Sequence, residues 1–136
     1  MLNRKLILKI KQSLSKRPEI LGTYVLGSAV SGNVHQESDF DLAVVVKNKE
    51  KISDNQVYDL LSHIQFPKDL DLSVIDKNSS PLFLFQAISK GQCVYFRSDE
   101  ERVEFESFVA KNYYDTAHIR SIYYSALQEK FPYASR

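Results

Sequence analysis

The sequence predicts an α/β domain in which helices cover a mixed sheet. Two observations carry this prediction: short runs of β-forming residues alternate with amphipathic stretches at helical spacing, and the run "LAVVV" at 42–46 is apolar throughout. A continuous apolar run suits a strand that is buried on both faces. The length of 136 residues fits a single domain spanning residues 1–136.

The first half of the chain alternates helix and strand. "TYVLGS" predicts a buried strand that Gly27 ends, and "DFDLAVVV" predicts a second strand, with a short helix between the two. Ser53 and Gln56 have the spacing of a capping box, which predicts the start of a further helix. A helix before the first strand is predicted by apolar residues that recur every four positions: Leu2, Leu6, Ile10 and Leu14.

The second half continues the alternation. "DLDLSVID" predicts the third strand, and Ser80-Pro81 predicts the start of a helix that ends at Gly91. "CVYF" predicts a short fourth strand, and Ser98 begins a long helical stretch.

The segment at about 117–136 is predicted to be a C-terminal helical tail. The boundary between residues 113 and 118 is ambiguous in the sequence. Beyond it, apolar residues recur at helical spacing: Ile119, Ile122, Tyr123, Ala126 and Leu127. Such a stripe either packs on the domain or faces a partner, and the sequence leaves both readings open.

The composition narrows the class of protein. The chain is 43% hydrophobic and 26% charged, with a formal net charge of +1. This balance gives no general electrostatic reason to expect a nucleic-acid or membrane surface. Cys93 is the one cysteine, so an internal disulfide is impossible and a cytoplasmic location is expected.

Two aspartates lie at the start of the second predicted strand. Asp39 and Asp41 are two positions apart, so they project from the same face, with Phe40 on the other. Neighbouring carboxylates repel each other unless water or a cation compensates. Because the strand continues as an apolar run, we favour Mg²⁺, which prefers hard oxygen ligands, over a solvated strand end.

A third carboxylate is expected from the third strand. Asp69 and Asp71 alternate there, and either would complete a cluster if this strand lies beside the second. We favour Asp71, because it lies deeper in the strand, and keep Asp69 as a competing ligand. Three aspartates can hold two metal ions and activate a hydroxyl.

The turn before the aspartate pair has the composition of a phosphate site. Gly27 allows the backbone to approach a ligand closely, and Ser28 begins the turn into the short predicted helix. Backbone N–H groups at such a turn bind phosphate. A phosphate turn beside a metal-binding pair is what transfer chemistry on a nucleoside triphosphate requires.

These residues resemble a known family. Gly27-Ser28, ten intervening residues and the 39–41 triplet match the signature of the polymerase-β-like nucleotidyltransferases, and Asp71 matches the family's third carboxylate. The resemblance implies a single-domain polymerase-β-like nucleotidyltransferase fold with a mixed sheet covered by helices. The chain departs from the family at Ser31, where many members carry an arginine that can contact phosphate.

The run "GQCVYFRSDEERVEFESFVAKNYYDTAHIR" resembles the end of the minimal nucleotidyltransferase (MNT) antitoxins of HEPN–MNT toxin–antitoxin modules. This resemblance implies a hetero-oligomer with a HEPN ribonuclease toxin, and the transfer of AMP from ATP to a toxin tyrosine with two Mg²⁺ ions. No membrane and no direct nucleic-acid contact is expected. Two alternatives stay open: an antitoxin that neutralises the toxin by binding alone, and a small-molecule nucleotidyltransferase, a kind of enzyme that usually carries a further helical domain for the acceptor.

Overall fold

The computed structural model describes residues 2–27 and 39–130. Within these ranges the helices and strands follow in the order α1 (Arg4–Leu14), β1 (Ile20–Leu26), β2 (Phe40–Val46), α2 (Asp54–Leu61), β3 (Leu70–Ile75), α3 (Pro81–Lys90), β4 (Gln92–Phe96), α4 (Asp99–Asp115) and α5 (Ala117–Lys130). The short helix predicted between β1 and β2 lies in 28–38, outside the described residues.

The four described strands form one mixed sheet in the order β3-β2-β1-β4. β1 pairs antiparallel with β2 and with β4, whereas β2 and β3 run parallel. This confirms the predicted α/β class with a mixed sheet. The parallel pair needs a crossover, and α2 supplies it.

Strand β2 is buried on both faces, as its apolar run predicts. Residues 42–46 are all 0–1% exposed. Phe40, Leu42 and Val44 pack into a cluster beneath α1 and α2, and Ala43 and Val45 pack into a second cluster beneath α3 and α4. Each fully buried large side chain contributes about 1.5–3 kcal/mol to folding, so the two clusters fix β2 as the central strand.

The predicted helix starts are present. Ser53 accepts the N–H of Gln56 at 3.2 Å, and the Gln56 side chain accepts the N–H of Ser53 at 2.8 Å, which completes the capping box. Ser80 caps α3 with Pro81 at its first turn. Ser98 accepts the N–H of Glu101 at the start of α4.

Gly91 ends α3 as predicted, through close packing. Its backbone is extended, with φ −81°. A Cβ at this position would lie 2.4 Å from the Ala87 carbonyl oxygen and 2.6 Å from Leu26 Cδ2. Glycine therefore lets the end of α3 approach β1.

Helices α4 and α5 meet at Thr116, inside the interval that the sequence left ambiguous. The Thr116 hydroxyl donates to the Asn112 carbonyl at 2.9 Å. The Arg120 guanidinium donates to the Tyr113 carbonyl at 2.7 Å and lies 3.9 Å from the centre of the Tyr113 ring. These contacts hold the first turn of α5 against the end of α4.

Most of the tail stripe is exposed, and Leu127 alone of its five residues is half-buried. No residue of α5 is buried, and Ile119, Ile122 and Tyr123 are 66%, 58% and 63% exposed. Within the single chain these three side chains are therefore open to solvent. Among the described helices, none is both long and apolar enough to cross a membrane.

Candidate active site

Asp41 and Asp71 lie side by side at one edge of the sheet. The parallel register of β2 and β3 pairs Phe40 with Leu70 and Asp41 with Asp71. Adjacent strands are about 4.8 Å apart, and paired residues in register project from the same face. The sequence favours Asp71 over Asp69 for its depth in the strand and for its match to the family's third carboxylate, and the register places Asp71 opposite Asp41.

The two carboxyl groups interact directly. The pKa of Asp41 is raised above its usual range, first by burial, then by the hydrogen bond and the negative charge of Asp71, and last by the charge of Asp39. Two ionised carboxylates so close together repel each other. A divalent cation between them can compensate both charges.

Asp39 and Asp69 precede their strands at the same edge. The Phe40 N–H donates to the Asp69 carbonyl oxygen at 2.7 Å, which holds the start of β2 against the start of β3. Asp39 is exposed. Its charge nevertheless reaches Asp41 strongly enough to contribute to the raised pKa of that group.

Gly27 sits directly against Asp41. Its φ is +71°, a left-handed conformation that glycine adopts without strain. A Cβ at this position would lie 2.7 Å from Asp41 Oδ2. The glycine therefore serves two needs that the sequence could only suggest: it turns the chain out of β1, and it leaves room for the carboxylate.

A groove opens on the other side of Gly27. It has a volume of about 220 Å³, with one wall formed by the end of β1 and the other by one face of α3. Its lining residues are Leu26, Gly27, Phe83, Gln86, Ala87 and Lys90. Gln86 and Lys90 could not be identified from the sequence, because their spacing from Phe83 shows only that the three residues share a helical face.

A hydrogen-bonded anchor holds α4 over the same face of the sheet. The Tyr24 hydroxyl donates to Glu106 Oε2 at 2.5 Å, and Arg102 Nε donates to the same oxygen at 3.0 Å. Burial and the Glu106 carboxylate together raise the pKa of Tyr24. Phe105, which lies between these two polar residues in the sequence, is buried beneath α4.

Two expected features of the site, the Ser28 part of the phosphate turn and a complete metal cluster, have no counterpart among the described residues. Ser28 lies outside the described ranges. Within 2–27 and 39–130, no three His, Cys, Asp or Glu side chains come together as a metal site. The part of the predicted cluster that is assembled is the Asp41–Asp71 pair, with Asp39 at its flank.

Solved structures with a similar fold include chains of toxin–antitoxin complexes. One, from the crystal structure of a toxin–antitoxin with AMP-PNP, has a TM-score of 0.64 and 21% identity, over 93% of this chain and 99% of the other. Another comes from a Shewanella oneidensis complex of tri-AMPylated HEPN toxin with MNT antitoxin, with a TM-score of 0.61, 18% identity and the same coverage. These likenesses establish the shared fold.

A larger enzyme shares part of the fold. The spectinomycin adenyltransferase from Enterococcus faecialis, solved with ATP and spectinomycin, has a TM-score of 0.50 and 19% identity, over 74% of this chain and 59% of the other. No curated protein matches the sequence significantly.

Residues 8–100 match the family model described as "Polymerase beta, Nucleotidyltransferase". The match spans more than half of the chain, and it contains Gly27, Asp41 and Asp71. It agrees with the mixed sheet and with the carboxylate pair at its edge. The chain therefore belongs to the polymerase beta nucleotidyltransferase family.

Proposed function

We propose that this protein is an antitoxin that transfers AMP from ATP to a tyrosine hydroxyl of a HEPN ribonuclease toxin and so neutralises it. The observation that carries the proposal is the Asp41–Asp71 pair, in register beside the Gly27 turn. Family membership supports nucleotidyl transfer. The choice of acceptor is supported by the likeness to a complex whose toxin is described as AMPylated.

Mg²⁺ is the cation that we expect at the carboxylates, with Asp39, Asp41 and Asp71 as its ligands and two ions bound. The residues fit such a cation, because the Asp41 and Asp71 carboxylates lie side by side and Gly27 leaves the space beside Asp41 free of a side chain. When bound, the metal would neutralise phosphate charge and polarise the reacting oxygens. Gly27 and Ser28 are expected to hold phosphate through their backbone N–H groups.

The proposed transfer is a single in-line displacement. The tyrosine oxygen forms a bond to the α-phosphorus of ATP, the bond from that phosphorus to the α,β-bridging oxygen breaks, and pyrophosphate leaves. The tyrosine proton passes to the Asp71 carboxylate. A tyrosine hydroxyl has a pKa near 10, so assistance by a base is needed at neutral pH.

Helix α5 is the surface that we expect to hold the toxin. Its stripe of Ile119, Ile122 and Tyr123 is exposed in the single chain. An amphipathic helix that lies in a partner's groove is a common mode of recognition. The active-site edge, formed by strand ends, is then left free for the acceptor tyrosine.

Co-expression with the toxin, followed by mass spectrometry of the toxin, tests the proposal. The wild-type protein should add one or more AMP units to a toxin tyrosine, whereas Asp39→Asn and Asp41→Asn should leave the toxin unmodified while keeping the fold. An unmodified but neutralised toxin with the wild-type protein would show neutralisation by binding alone. Adenylylation of an aminoglycoside or related small molecule, with none on the toxin, would show that the protein is a small-molecule nucleotidyltransferase.

The role of Asp71 as a base can be distinguished from a role in nucleotide binding by measuring both turnover and nucleotide affinity. Asp71→Asn should bind Mg²⁺–ATP nearly as the wild type does, yet lose transfer by about 10²–10⁴-fold, the usual loss of a general base. Asp69→Asn is the matched control, because it removes the same charge from the same edge. If Asp69→Asn lost turnover and Asp71→Asn kept it, the roles of the two residues would be exchanged.

A further inference from the structure

The groove beside Gly27 lies on the side of the carboxylates away from β3. The strand order β3-β2-β1 places Asp71, Asp41 and the end of β1 in a row along one edge. Leu26 pairs with Asp41, and Gly27 both contacts Asp41 and lines the groove. The site and the groove therefore share one wall, and Asp41 lies between the groove and Asp71.

The geometry of in-line displacement determines on which side of this row the acceptor and the leaving group lie. The attacking and leaving oxygens lie on opposite sides of the phosphorus. If Asp71 on β3 receives the acceptor's proton, the acceptor approaches from the β3 side. The leaving group must then depart toward β1, which is the side of the groove.

The lining of the groove fits an anion at one end. Gln86 and Lys90 are four positions apart on α3, so they project from the same helical face. Both are exposed, and the other lining side chains, Leu26, Phe83 and Ala87, are apolar. Of the described residues that line the groove, Lys90 is the one with a positive charge.

We propose that Lys90, assisted by Gln86, binds the β- and γ-phosphates of ATP in this groove and holds the pyrophosphate as it leaves. The inference rests on the proposed nucleotidyl transfer and adds the residues that bind the leaving group. A volume of about 220 Å³ is below the roughly 300–1,000 Å³ typical of pockets for drug-sized ligands. That size suits one part of the nucleotide and not the whole.

Calorimetry of the full chain with three probes tests this assignment. Lys90→Gln should weaken Mg²⁺–ATP and Mg²⁺–pyrophosphate by about 10-fold or more, as expected for the loss of a charge-assisted contact to phosphate. Adenosine should bind the variant and the wild type equally. Lys11→Gln is the matched control, because Lys11 is also the basic residue in the last turn of its helix, on the opposite face of the sheet.

Moving the charge by one helical turn provides a second readout. The double variant Gln86→Lys/Lys90→Gln keeps one cation on the same face of α3, and it should recover much of the lost pyrophosphate affinity. A purely structural role at the end of the helix predicts no recovery. It also predicts equal small losses of stability, without loss of affinity, in Lys90→Gln and Lys11→Gln.

Two results would overturn the assignment. If Lys90→Gln bound pyrophosphate as tightly as the wild type does, Lys90 would not contact the leaving group. If the variant lost adenosine and ATP affinity equally, the groove would hold the nucleoside instead. A wild-type protein that bound neither Mg²⁺–ATP nor Mg²⁺–pyrophosphate would contradict the proposed function itself, a result that differs from both.

Discussion

When no cation is present, burial and the neighbouring carboxylates disfavour the ionised form of Asp41. Its pKa is raised by burial first and by Asp71 next. The protonated form of Asp41 therefore stabilises the folded state at acidic pH. That stabilisation is lost as the pH rises from the ordinary carboxyl range through the raised pKa. At neutral pH the metal-free protein holds two carboxylates that repel each other.

The first prediction concerns Asp41→Asn in metal-free protein. Because asparagine cannot ionise, the variant should melt at a higher temperature than the wild type at neutral pH. The difference should vanish well below the ordinary carboxyl pKa of about 3.9, where the wild-type group is protonated in both states. Thermal unfolding in the presence of a chelator measures this. Asp69→Asn is the control, and a variant less stable than the wild type at neutral pH would contradict the electrostatic account.

At the scale of elements, α4 is tied to the sheet by a polar contact within an apolar layer. Tyr24 on β1 donates to Glu106 on α4, and Arg102 neutralises the same carboxylate. Phe105 and Val109 pack around this contact. Since Tyr24 precedes Leu26 and Gly27 on one short strand, the anchor fixes α4 over the face from which the carboxylates project.

The second prediction concerns Tyr24→Phe. The change removes one hydrogen bond and leaves Glu106 paired with Arg102, so the free energy of unfolding should fall by about 1 kcal/mol. Denaturant unfolding measures the loss, and hydrogen exchange of the α4 amides should become faster. Tyr95→Phe, on the opposite face of the sheet, removes the same atom and should cost less. Equal losses in the two variants would show that the Tyr24–Glu106 contact adds nothing.

At the scale of the whole molecule, the described residues present two surfaces of different character. The edge formed by β1, β2 and β3 holds the carboxylates, whereas α5 holds an exposed apolar stripe. In the proposed transfer, a protein acceptor contacts the first surface while the second holds it. Stability and toxin binding should therefore respond to different parts of the chain.

The third prediction separates these parts by truncation after Thr116. Because no α5 side chain is buried, the melting temperature should change by less than about 2 °C, while toxin affinity should fall at least tenfold. The substitutions Ile119→Ser and Ile122→Ser in the full chain should weaken binding in the same way. Leu8→Ser on α1, which is 53% exposed, is the matched control. Unchanged toxin binding after truncation would show that α5 is not part of the toxin interface.

The fold could be read from the sequence because local signals agreed with it. The apolar run of β2 predicted a central strand, and Ser53 with Gln56 predicted the start of α2. The tail was different, because a core helix and an exposed interface helix show the same periodicity. Only the tertiary contacts of Ile119 and its neighbours distinguish the two cases.

The candidate site was predictable in its residue types and less so in its geometry. Two aspartates at the start of an apolar strand indicated Asp39 and Asp41. The choice of Asp71 depended on strand pairing, which a single sequence does not determine. Lys90 was missed because a lysine in the last turn of a helix is ordinary, and only the fold brings it into a groove with Gly27.

The Asp-Leu-Asp-Leu pattern of β3 also affects the register that this strand adopts against β2. A slip of two residues against β2 would keep the polar and apolar faces of both strands and set Asp69 opposite Asp41. It would also move Asp71 from its exposed place to the position opposite Ala43, which the half-buried Ser73 now occupies. Partial burial at that position makes an ionised carboxylate less favourable. The charge proposed to serve the chemistry thus also favours the alignment of β3 that assembles the site.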